Sequence, residues 1–188
     1  MAIARDQPFR SATVAGTGSR MGSRDVDAYI EKLKEGVTAL QKARATFAVP
    51  DDIDSYSPFV AQLFAYELFL ESHIYTYLDD LEASRVMRDL PSGPALIQGT
   101  AGCPSIEWSN QRSSFPATEQ GFNGAVFYGF DLDANGRVTN LKVLSEVPEA
   151  RFGAAVESFT KKWRADVKGV PEACRQNLLM RHLFFTQI

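Results

Sequence analysis

Nowhere in the 188 residues do about 20 apolar side chains run together, so the sequence contains no helix of membrane-spanning length. The apolar core of a secretory signal is missing as well. Charge of one sign is also lacking: 20 basic against 23 acidic residues leave a net −3 and a pI near 5.4, which argues against a nucleic-acid partner or a broad anionic membrane footprint. Soft metal ligands are scarce. His73, Cys103, Cys174 and His182 are the four histidines and cysteines, and none stands within the short spacing that structural zinc sites use. A Cys174–His182 nucleophilic pair would be separated by eight residues, roughly 26 Å along a strand. No Gly-rich phosphate loop, paired catalytic carboxylates or Ser-centred elbow occurs, so neither catalysis, a metal nor a cofactor is expected.

What is present is ordinary globular composition, 45% hydrophobic and 23% charged, at a length that suits one or two domains. Residues 1–23 carry Arg5, Arg10 and Arg20 among small polar residues, and read as a leader outside the folded part. Charge then divides: residues 24–90 hold seven basic and thirteen acidic side chains, whereas residues 124–188 hold nine and seven. Two units with different surfaces follow from that split.

Over residues 24–90 the pattern is that of a helical hairpin. Val26, Ile30, Leu33, Val37, Leu40 and Phe47 repeat at helical spacing, predicting a helix from Arg24 to Phe47. Ser57-Pro58 starts a second, expected to reach Arg88 before Pro91 and Gly93. Its apolar residues cover more than one face, so it should pack against the first helix and against something else. Two uses remain open for its aromatics: burial within the hairpin, or an exposed groove for a partner helix. Residues 91–112 read as a connecting segment with a short ordered piece near Ile106.

From residue 113 the period changes to two. Val126, Tyr128 and Phe130 alternate along a strand, Asp133-Ala-Asn-Gly136 makes a tight turn in which Asn135-Gly136 supplies positive φ, and Val138 to Val143 returns. Asp131, Asp133 and Asn135 imitate the start of a calcium loop. Lys142 stands where that loop needs a bidentate Glu, and the match fails. Phe152, Ala155, Val156, Phe159 and Trp163 then define a helix predicted from Glu149 to Val167, and Asn177 to Thr186 is a β-rich run.

Phe115-Pro116, Gly124-Ala-Val126, Asp133-Ala-Asn-Gly136-Arg137-Val138, Phe152-Gly-Ala-Ala155 and Lys162-Trp163-Arg164 together resemble, in order and spacing, the C-terminal domain of TonB family proteins. Phe115 stands where that family has Tyr, Gly153 where it has Asp, and Ala165-Asp166 replaces its Phe-x-Pro. The resemblance covers residues 113–188 and implies an α+β fold: an N-terminal helical hairpin, then a β-β-α-β domain with a small antiparallel sheet and one packed helix. It implies a non-enzymatic periplasmic or cell-envelope protein, inner-membrane anchored in full transducers, that serves energy-coupled outer-membrane transport. Phe152, Ala155, Phe159 and Trp163 become core. Leu178, Leu179, Met180, Arg181, His182, Leu183, Phe184, Phe185 and Thr186 become the partner-binding strand, to which an extended receptor segment adds by backbone pairing. Monomer and homodimer both stay open. A scaffold or adaptor acting through the aromatic hairpin is the rival reading. Cys103 and Cys174, both near predicted element ends, are expected to form a disulfide in an oxidising compartment, with two buried thiols as the alternative.

Overall fold

Ile30, Leu33 and Val37 stand three and four residues apart, and they form the buried stripe of α1 (Ser23–Arg44). The computed structural model describes residues 23–48, 52–79, 82–83, 85–86, 102–104, 106–110 and 122–185. A 3-10 turn at Ile53–Ser55 leads to α2 (Pro58–Tyr77), with Pro58 at its first position, where a missing N–H costs nothing. Ser57 holds the N-cap without a side-chain hydrogen bond. The predicted run to Arg88 is interrupted. Leu78 turns extended, and Asp79 starts a fresh helical turn, its carboxylate accepting from the Glu82 N–H at 2.9 Å.

The described residues of the β part form five strands: β1 (Glu107–Asn110), β2 (Gly124–Leu132), β3 (Val138–Val147), β4 (Arg164–Asp166) and β5 (Leu178–Phe184). Three of them form an antiparallel sheet in the order β3-β2-β5, and β1 pairs antiparallel with β4 in a two-stranded sheet. A third helix, α3 (Gly153–Thr160), lies between β3 and β4. The α+β architecture expected from the sequence is therefore present, with β1 and β4 as additions to it.

The predicted helix over 149–167 is much shorter. It stops at Thr160 because Trp163 must turn inward, onto Phe159 and against Trp108 of β1 at ring separations of 5.4 and 5.3 Å. Residues 164–166 then have a β1 partner for their backbone groups, with Trp108 opposite Ala165. The start of α3 is capped from outside: the Glu146 carboxylate accepts from the N–H groups of Arg151, Phe152 and Gly153. In the β2–β3 turn only Gly136 takes positive φ, at +71°, and Asn135 does not. A Cβ at Gly136 would collide with the Ala165 carbonyl oxygen, so that turn can close on β4 only with glycine.

Two cores flank the sheet, one on each face, beside a third cluster of Ile30, Leu33, Ile74 and Ala83 in the helical layer. Val126, Tyr128, Phe130, Leu132, Leu178, Met180 and Phe184 meet Phe152, Val156, Phe159 and Trp163 on the α3 side, with Ala155 packed at its margin. Ala125, Phe127 and Leu179 meet Ile53, Tyr56, Val60, Ala61, Phe64 and Leu68 on the other. The element that α2 packs against besides α1 is thus the sheet itself. This explains why β2 is buried at almost every position rather than at alternate ones. Charged residues inside the helical layer are paired. Arg44 donates to Glu67 at 2.9 Å with both side chains almost fully buried, and the guanidinium also lies 4.2 Å above the Phe64 ring.

Candidate functional site

The strand read from the sequence as partner-binding is β5, and the sheet order makes it the outermost strand on one side among the described residues. It runs antiparallel to β2 in an unbroken register, from Leu178 opposite Phe130 to Phe184 opposite Gly124. Its side chains divide by parity, as a pleated strand requires. Leu178, Met180 and Phe184 enter the α3 core, and His182 lies on the same side with its ring 4.8 Å from Phe159. Leu179 and Leu183 turn to α2, Arg181 donates to Glu71 at 3.2 Å, and Phe185 stacks on Tyr75 at 5.3 Å. Thr186 lies outside the described residues. With both faces engaged, what this strand has to offer a partner is mainly backbone.

The lead-in to β5 is tied at three points. Cys174, in a 3-10 turn at Glu172–Arg175, forms a disulfide with Cys103, the Cα atoms 5.6 Å apart. Both cysteines are thereby removed as thiolate ligands or nucleophiles. Asn177, at φ +55°, donates its N–H to the Asp131 carboxylate at 2.8 Å and accepts from the Ile53 N–H at 3.4 Å. The calcium-like residues consequently have other occupations. Asp131 also receives Asn140, and Asp133 accepts from the N–H groups of Asn135 and Arg137, the hydrogen bond from Arg137 being the main reason its pKa is lowered. No group of three or more side chains that could hold a metal occurs among the described residues.

His182 carries the clearest electrostatic consequence. Its ring lies against Phe159 and Phe184, its Nε2 is buried with no hydrogen-bond partner, and burial pushes its pKa down from 6.5 to about 4. The unfolded chain takes up a proton there that the folded chain refuses. Stability from this group is complete above pH 6.5 and is lost as pH falls toward 4, by roughly 2–3 kcal/mol. We expect urea midpoints between pH 7 and about 4.5 to fall less for His182→Leu than for the wild type. Equal falls would show that His182 does not set this part of the acid response.

Glu71 and Asn177, which help to fix the strand, have no role in the sequence reading, and Asp131 enters it only as part of the calcium-like run. A signal for Glu71 was available. Glu67 and Glu71 stand four apart as the only acidic residues of a helix that has no Lys or Arg, and buried carboxylates require cationic or hydrogen-bonding partners.

Comparison with known proteins bears on residues 114–177. A family model described as Gram-negative bacterial TonB protein C-terminal matches residues 114–177, ending just before β5. Protein TonB of Yersinia enterocolitica is 36% identical over 58 residues, which are 30% of this chain and 23% of that protein. Protein TonB of Klebsiella pneumoniae is 34% identical over 76 residues, 39% of this chain and 27% of that one. The chain thus spans about a quarter of the length of the curated relatives it matches. A solution NMR structure of the Pseudomonas aeruginosa TonB CTD aligns at 25% identity and a TM-score of 0.35, over 44% of this chain and 86% of that one. The resemblance read from Gly124-Ala-Val126, the Gly136 turn and Lys162-Trp163-Arg164 is therefore real: residues 114–177 carry the sequence pattern of a TonB C-terminal domain.

Proposed function

We propose that the chain is a non-enzymatic protein of the periplasm or cell envelope that binds an extended segment of an outer-membrane receptor, or of another envelope protein, by strand addition to β5 in energy-coupled transport. The observation that carries this reading is the position of β5, outermost in the described sheet while both of its side-chain faces are committed to cores. The Cys103–Cys174 disulfide suits an oxidising compartment. No helix among the described residues is long and apolar enough to cross a membrane.

Strand addition depends on alternate amides of the ligand, which gives a test that leaves the protein untouched. Receptor N-terminal peptides, methylated at one backbone nitrogen at a time, would be titrated against labelled protein. Each methyl on an amide facing β5 should weaken binding about fivefold, the worth of about 1 kcal/mol per backbone hydrogen bond, and those between should have little effect. Uniform or absent effects would reject the mechanism.

A second reading has its own observation. Phe47 and Phe59 meet edge to face at 5.5 Å, and Phe59 is 56% exposed on the outer side of the helical layer. Peptide-induced shifts confined to that corner would favour the adaptor reading.

A further inference from the structure

On α2 the residues Phe64, Leu68, Glu71 and Tyr75 stand four, three and four apart, one continuous stripe of the helix. On β5 and the residue after it, Leu179, Arg181, Leu183 and Phe185 stand two apart, one face of the strand. The two stripes meet in order. Leu179 lies in the cluster with Phe64 and Leu68, with Leu183 packed against that cluster, Arg181 reaches Glu71 at 3.2 Å, and Phe185 stacks on Tyr75 at 5.3 Å. The central polar contact is asymmetric: the Glu71 side chain is 3% exposed and that of Arg181 34%. A buried carboxylate without a cation is costly, so Glu71 holds Arg181 more firmly than a surface pair would.

An edge strand has one strand neighbour in the sheet and frays more readily than a central one. Here α2 supplies the hold that a second strand neighbour would otherwise give. We propose that the N-terminal helical layer is the positioning element of the recognition edge, with Glu71 and Tyr75 as positioning residues that keep β5 straight and in register for an incoming segment. This rests on the strand-addition reading, and it assigns a role in it to residues outside the segment that matches the TonB C-terminal model.

The test compares the wild type with Glu71→Gln, Tyr75→Ala and Tyr75→Phe by amide hydrogen exchange, first without peptide, and then measures affinity for a receptor N-terminal peptide. In Glu71→Gln and Tyr75→Ala, exchange at the β5 amides that face β2 should rise at least tenfold while amides of β3 stay within about twofold. Affinity should fall at least fivefold, and Tyr75→Phe, which keeps the ring stack, should stay within twofold of the wild type. Equal acceleration in β3 and β5 would mean a general loss of stability and would overturn the proposal, as would unchanged exchange in β5. Affinity held within twofold despite faster β5 exchange would overturn it too. If the wild-type chain binds no receptor peptide, the strand-addition reading fails, and the proposed role fails with it, whereas the exchange pattern still decides whether α2 holds β5. Should Glu71→Gln not fold, the Tyr75 pair gives the same comparison from the margin of the contact.

Discussion

Phe64→Ala is expected to lower the unfolding free energy by about 3–5 kcal/mol and to do so in the sheet as well as in the helices. Phe64 is 2% exposed, stacks on Phe127 of the central strand at 4.6 Å, and carries the Arg44 guanidinium on its ring. Truncation therefore removes a large buried ring, leaves a cavity between two layers, and takes the aromatic partner away from a buried cation. Chemical denaturation followed by both far-ultraviolet circular dichroism and amide exchange of β2 would measure it. A loss below about 1 kcal/mol, or one confined to α1 and α2, would mean that the layers are energetically separate and that Phe64 serves the hairpin alone.

The other large effect is expected from Cys103 and Cys174. Their bond closes a loop across 71 positions, and the chain-entropy account gives about 4 kcal/mol for such a loop. A Cys103→Ser/Cys174→Ser variant, or the wild type under strong reductant, should lose stability on that scale. The loss should be felt first at the lead-in to β5, because Cys174 sits only a few residues before Leu178. Denaturant midpoints in the presence and absence of reductant would check it. Coincident curves would show that the link adds nothing beyond what Asn177, Asp131 and Ile53 already hold.

Much of this arrangement was legible in the residues because it rests on short-range pattern. The period of Ile30, Leu33 and Val37, the alternation of Val126, Tyr128 and Phe130, and the Asp133 to Gly136 turn each concern neighbours along the chain. Cys103 and Cys174 could be paired because there were two of them. What escaped the reading depends on partners far away. Whether the segment after Thr160 continues as helix is decided by Trp108, whose ring takes Trp163 inward and whose strand pairs with residues 164–166. The break at Leu78 turns on the local competition of Asp79 for its own cap, a choice the apolar stripe through Leu81 conceals. The attachment of Glu71 to Arg181 was hidden for the same reason as the layering itself: periodicity says that a face is buried and not what buries it. In the candidate site, position could be inferred from the resemblance, but the division of β5 between two cores needed the fold.

The pairing of α2 with β5 also bears on the order in which the molecule is made. Glu71 and Arg181 lie 110 residues apart, and Phe130 pairs with Leu178 across nearly half that distance. The two helices and the β2–β3 hairpin can each form from near neighbours, on timescales of microseconds. Completion of the sheet waits for a long loop to close, and such non-local pairing is the slow kind of step in assembly. During synthesis every other described element leaves the ribosome before β5. Until it arrives, Phe127 and Tyr128 face a sheet with one strand missing, and the exposed flank of β2 is open to strands of other chains. A chaperone bound to the nascent chain at that stage would be shielding the same backbone edge that β5 later occupies.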